Sequence, residues 1–388
     1  MIIAGPLKIA ELETLRGLMA LWVFLGHIVQ LSGLRDASRI LRPLSHTGLA
    51  VDVFIILSGF VITLLLLRES LSYSCFIARR FFRLYPVYLV SLLLAAVLRH
   101  SLWPSNHVRG TLPWMGPSEV MRAADVQDSV TQYFWQHVAA HATMLHGAMP
   151  HSVLPWGPST FNNPAWSISL EWQFYLVAPL LLVMLNNVRR WMPMLLLLVF
   201  VAVLSQPLLG QSGEFRFPSF LPLRIHFFLF GMLCALYFAH FRAAATEYHR
   251  WIVLTVAALA AVSDVFFFYP VLIWLGFFYL VLSHDSGAIE LVRRLVLLRP
   301  ARWLGEISYS FYILHMPIIY AVAGFIAGTQ PLDSRWRFAA MLLVIAFSIT
   351  LLLSAICHRY VEKPFIAFAK KRFTGLPVAA TPAPAPSS

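Results

Sequence analysis

Several ionisable side chains in this sequence sit inside long apolar stretches, and their spacing suits proton transfer and anion binding. Arg16 is followed eleven residues later by His27 within Leu15–Leu31, a helical distance of about 16 Å that carries His27 towards mid-membrane if Arg16 stays at one end. A neutral imidazole at that depth can act as a base, or simply bond a neighbouring helix. Asp52 lies in Gly48–Phe60, six residues before Ser58, where it can orient a histidine, pair with an arginine, or remain a water-accessible carboxylate near a helix end. Arg80 and Arg83 are three apart, face one way on a helix, and can hold phosphates, contact lipid headgroups or only signal topology. Glu171 follows the polar turn Trp166-Ser167-Ile168-Ser169 and lies about 10 Å below the outer face if its span opens at Pro164. Ser308, Tyr312 and His315 share a helix face flanked by Tyr309, and His315 is again about 16 Å deep. These depths predict that His27, Glu171 and His315 line one mid-membrane cavity.

Spans must position these groups. Apolar windows near 12–33, 47–67, 84–103, 164–185, 191–209, 221–241, 250–264, 265–283, 304–328 and 336–357 predict an all-α polytopic membrane protein with about ten transmembrane helices. Residues 130–149 carry His137, His141 and His146 and are too polar for a span, so they predict an interfacial or re-entrant helix. With that assignment both termini are cytoplasmic, and the basic residues concentrate inside. Residues 1–373 read as a single transmembrane domain with no appended soluble domain, and 374–388 as a disordered Pro/Ala-rich tail. No cleavable signal peptide and no internal repeat are expected.

Composition supports this class. Of 388 residues, 59% are hydrophobic and only 12% charged, too few charges to clothe a water-soluble globule of this size. The net charge of +12 reads as cytoplasmic anchoring, and nucleic acid is not an expected partner. Cys75, Cys234 and Cys357 lack metal-ligand spacing, so no metal is expected. Midplane His and Glu would also suit a proton-coupled transporter or flippase, the alternative function.

Six ordered blocks carry a resemblance. They are Arg16-Gly17-Leu18 with His27, Val51-Asp52-Val53-Phe54 with Leu57-Ser58-Gly59-Phe60, Arg80-x-x-Arg83-Leu84-Tyr85-Pro86, Trp166-Ser167-Ile168-Ser169-Leu170-Glu171 with Phe174-Tyr175, Ile307-Ser308-Tyr309-Ser310-Phe311-Tyr312 with His315, and Glu362-Lys363-Pro364-Phe365. In these the chain resembles, from Leu12 to Phe365, the acyltransferase-3 family of membrane O-acyltransferases, in a stand-alone form. The resemblance implies transfer of an acyl group, most often acetyl, from cytoplasmic acetyl-CoA or another acyl-CoA to a glycan or lipid-linked sugar acceptor such as lipopolysaccharide, exopolysaccharide or peptidoglycan. It implies a multi-pass protein of the bacterial inner membrane among its lipids, and leaves the oligomeric state open. His27 would be the base or acyl relay, Arg16 its support, and Arg80 and Arg83 the CoA-phosphate ligands. Glu171 would fix the His27 tautomer, and Tyr309, Ser58 or an arginine would face the developing oxyanion.

Overall fold

A computed structural model describes residues 9–101, 108, 110–187, 212–241, 268–282 and 287–374, and among these every regular element is helical. The helices used below are α1 (Ala10–Leu31), α2 (Thr47–Arg68), α3 (Tyr73–Ser101), α4 (Pro117–Gln132), α5 (Phe134–Ala142), α6 (Ala165–Asn186), α7 (Ile225–Phe241), α8 (Phe268–Leu282), α9 (Ala288–Val296), α10 (Arg299–Thr329), α11 (Arg335–Cys357) and α12 (Lys363–Arg372). A π-helical turn, His358–Glu362, joins the last two. Six described segments are long and apolar enough to cross a membrane: α1, α2, Tyr73–Leu98, α6, α10 and the continuous Arg335–Arg372. Two shorter apolar helices lie within α7 and α8. The protein is a multi-pass membrane protein.

Helix α1 runs through the centre of the bundle against α10, α2 and α11. Its contact with α10 is a backbone approach: a Cβ on Gly17 would come to 2.7 Å of the Gly305 nitrogen. Small residues allow such closeness where van der Waals packing, rather than water exclusion, holds helices together. Gly59 does the same where α2 meets the Phe228 backbone of α7. The interior so formed is filled by Leu15, Phe24, Ile56, Phe60, Phe228 and Phe311, all fully buried. Outward faces are apolar instead of charged, as with Leu89, Leu93 and Val97 on α3 and Val344, Leu352 and Ile356 on α11. Hydrocarbon is the solvent that tolerates that pattern.

Several boundaries differ from the sequence expectation. The window at 84–103 is the second part of α3, which starts at Tyr73 and carries Arg79, Arg80 and Arg83 inside the helix. The window at 336–357 continues through the π turn to Arg372. Residues 130–149 split into the end of α4, the nine-residue α5 and a 3-10 turn at His146–Ala148. Nine residues rise only about 14 Å, too little to cross. The windows at 191–209 and 250–264, and residues 375–388 of the tail, lie outside the described residues.

Candidate functional site

Among the described residues, a larger and a smaller cavity lie along the bundle. The larger, about 760 Å³, is lined by His27 and Gln30 of α1, Asp52 of α2, Asn162 and Trp166 around the start of α6, and Arg224 before α7. The smaller, about 160 Å³, is lined by Arg16, Ser58, Arg80, Arg83, Glu171, Tyr175 and Tyr309. Val51 and Tyr312 line both, so the two spaces meet at these side chains.

In the larger cavity, His27 Nδ1 lies 3.1 Å from Gln30 Oε1, and the ring stacks on that of His315 with centroids 5.3 Å apart. His315 itself is fully buried, and its Nδ1–H donates to the Tyr312 carbonyl at 2.5 Å. Asp52 forms an ion pair with Arg224 at 2.9 Å, taking the arginine option of its sequence reading. Arg35, Asp36, Glu119 and Arg122 add further charged groups, and Trp114, Trp166 and Phe217 add aromatic surface.

Electrostatics dominate the smaller cavity. Arg83 pairs with Glu362 of the π turn, whose Oε2 also accepts from Ser310 Oγ at 2.8 Å and from His358 Nδ1 at 2.9 Å. Glu171 accepts hydrogen bonds from Tyr175 OH and, at 3.1 Å, from Ser58 Oγ. The Arg80 guanidinium sits 5.9 Å from the Tyr175 ring centroid, and that of Arg83 is 5.5 Å from the Tyr309 ring centroid. Arg16 has Arg83, Glu171, Glu362 and Tyr175 as electrostatic neighbours. Three guanidinium groups thus face two carboxylates, which leaves one positive charge in excess among these five residues and suits the cavity to an anion.

The structure therefore brings together Arg16, Arg80, Arg83, Glu171 and Tyr309, and separately His27, His315 and Asp52. Glu171 lines the smaller cavity and His27 the larger. Arg16 and His27 also face different cavities, which removes a direct contact between them. The Tyr309 hydroxyl donates to the Leu84 carbonyl at 2.6 Å, and Ser58 Oγ is engaged by Glu171, so neither donor is idle. Sequence reasoning missed Gln30 and Arg224, and quoted Tyr175 and Glu362 in the ordered blocks without giving them a role; the i, i+3 spacing of Gln30 from His27 was a readable signal.

A further cluster supports the wall beside the larger cavity. His141 and His146 stack with ring centroids 4.0 Å apart, and Tyr88 lies parallel to His146 at 6.1 Å. Burial pushes the His146 pKa down to about 4, and burial together with His146 holds His141 well below the usual imidazole range. Both are neutral packing groups at pH 7.

Comparison with known proteins follows the geometry. The sequence profile described as "Acyltransferase domain" matches residues 9–359. The chain is 26% identical over 417 residues to acyltransferase MdmB of Streptomyces mycarofaciens, covering 98% of this chain and 97% of that protein. It is 26% identical over 363 residues to peptidoglycan O-acetyltransferase OatA of Listeria monocytogenes, covering 81% of this chain and 51% of the relative. With O-acetyltransferase OatA of Staphylococcus aureus the identity is 24% over 369 residues, covering 86% and 55%. The chain thus spans about half the length of the OatA proteins. No solved structure matches it.

Proposed function

The chain belongs to the acyltransferase-3 family, and from that premise we propose that it moves an acyl group, acetyl in the simplest case, from cytoplasmic acyl-CoA to a hydroxyl of an envelope or exported glycan. As an O-acyltransferase it is an enzyme, which sets the transporter alternative aside. The observation that carries the reading is the meeting of a cationic cavity with a histidine-bearing one at Val51 and Tyr312. In this reading both termini are cytoplasmic, the smaller cavity opens inward, and the protein resides in the bacterial inner membrane.

The donor's phosphates then sit at the inner mouth, drawn by Arg16, Arg80 and Arg83. A cavity of about 160 Å³ accepts a slender arm and excludes a nucleotide. From Arg16 to His27 along α1 is about 16 Å, the span of four to five extended residues and the length scale of a pantetheine arm with its two amide units. The thioester is thereby delivered to the larger cavity, where sugar hydroxyls find the Asp52–Arg224 pair and the faces of Trp114 and Trp166.

Chemistry follows from these positions. His27 takes the proton of the acceptor hydroxyl while its oxygen bonds to the thioester carbonyl carbon. The carbon–sulfur bond breaks, the thiolate leaves, and the proton passes from the imidazolium to the sulfur. The products are an O-acyl ester and CoA thiol, and His27 returns to its neutral form. Purified protein given labelled acetyl-CoA and a glycan acceptor is expected to produce labelled ester, and His27→Ala to abolish it. Full transfer by His27→Ala would overturn the assignment.

A further inference from the structure

We propose that Gln30 is a positioning residue which fixes the proton on Nδ1 of His27 and so presents Nε2 as the base. This inference rests on the reading of His27 given above. The Ser45 carbonyl has no proton to give. Gln30 Nε2 lies 2.7 Å from that oxygen and must therefore be the amide end that donates to it. The other end, Oε1, is then turned towards His27, 3.1 Å from Nδ1. An amide oxygen only accepts, so Nδ1 carries the hydrogen and Nε2 the lone pair of the neutral ring.

The relay is held from outside the active groups. Gln30 lies one helical turn beyond His27 on α1, and Ser45 belongs to the 3-10 turn Arg42–Ser45, which packs against α1. Trp22 ties the same turn to the helix by donating to the Leu44 carbonyl at 3.1 Å. Neither Gln30 nor Ser45 needs to touch the reacting atoms for the tautomer to be set.

Among the described residues, the titratable and charged groups around His27 include His315, stacked on its ring, and those lining its cavity: Arg35, Asp36, the Asp52–Arg224 pair, Glu119, Arg122, Tyr312 and Tyr320. All stay unchanged when Gln30 alone is replaced. Gln30→Leu removes the acceptor and is expected to lower kcat about 10- to 100-fold with the KM for acetyl-CoA unchanged. Gln30→Glu keeps an acceptor at Nδ1, retains most of kcat, and its carboxylate favours imidazolium, so the acid limb of kcat/KM moves to higher pH. Wild-type turnover in Gln30→Leu would overturn the proposal, as would a Gln30→Glu enzyme as slow as Gln30→Leu with an unmoved acid limb. Nitrogen-15 NMR of the unmodified protein, with His27 assigned by difference from His27→Ala, gives a readout that needs no Gln30 variant. Protonated Nδ1 and bare Nε2 are expected above the imidazole pKa, and the reverse tautomer refutes the relay. An active His27→Ala enzyme would instead sink the underlying assignment of the base.

Discussion

Asn162 and Pro317 are joined through a single carbonyl. Pro317 lies inside α10 and has no N–H to give the oxygen of Ile313, four residues earlier, and Asn162 Nδ2 donates to that oxygen at 2.8 Å instead. The interruption lies two residues after His315, on the helix that supports His27 from behind. The loop before α6 thus completes the hydrogen bonding of α10 next to the site.

Removing that donor has a defined cost. Asn162→Ala leaves a buried carbonyl unpaired and is expected to destabilise the protein by about 1–3 kcal/mol, read as a lowered Tm. In a Pro317→Ala background, where a backbone N–H returns, the same replacement is expected to cost less. Equal losses in both backgrounds would show that the coupling does not run through Ile313.

Arg83 and Glu362 form the next testable pair. Arg83→Ala leaves Glu362 with Ser310 and His358 alone, and Glu362→Ala removes the carboxylate that Arg83 pairs with, so each single change is expected to cost about 1–3 kcal/mol, with the double change costing less than the sum. Thermal unfolding of the three variants measures this. Arg80 carries no such carboxylate partner of its own, and Arg80→Ala is expected to weaken CoA binding about tenfold with a smaller effect on Tm. An unchanged Kd in Arg80→Ala would exclude that guanidinium from the donor site.

Acid sensitivity is expected from the His141–His146 stack. The folded-state pKa of His146 is depressed from 6.5 to about 4, so the folded state binds its proton less readily than the unfolded chain. Its contribution to stability is complete above about pH 6.5 and is lost as pH falls from there towards 4. His146→Gln is expected to flatten the decline in Tm across that window. An unaltered pH profile in the variant would remove His146 as its source.

Orientation is open to direct labelling. In a cysteine-free background, a cysteine at Thr131, exposed at the end of α4, is expected to react with an impermeant maleimide from the periplasmic side. One at Lys371, exposed on α12, is expected to react only after the membrane is permeabilised. Labelling of Lys371→Cys in intact cells would reverse the proposed topology.

Much of the framework was legible from hydropathy, because hydrocarbon imposes long apolar helices irrespective of their partners. Windows containing His27, Asp52, Glu171 and His315 all fall within helices. The stacking of His27 on His315 agrees with their equal depth estimates, since each helix could be measured from a near-surface end. Glu171 lines the other cavity, a placement that depth along a single helix does not specify. Pairings such as Arg83 with Glu362, 279 residues apart, depend on tertiary contact and on a π turn that no periodicity announces. The arginine run looked like a flank because hydropathy averages over charges, whereas α3 carries Arg79, Arg80 and Arg83 inside the helix, with Arg79 paired to Glu69 and Arg83 to Glu362.

The junction of the two cavities has an electrical meaning. Where water or polar substrate reaches in from both sides, the membrane potential falls mainly across the narrow layer between them, formed by Val51 and the Tyr312 ring, whose hydroxyl is hydrogen-bonded to Ser167 at 2.8 Å. A unit charge forced through that layer meets about 2.3 kcal/mol per 100 mV. In the proposed reaction the phosphates remain on one side of it and the acceptor on the other, and what crosses is the uncharged pantetheine arm with its acyl group. On the proposed reading the transfer is decoupled from the voltage, and an outer glycan would be acylated at the same energetic cost whether the membrane is energised or not.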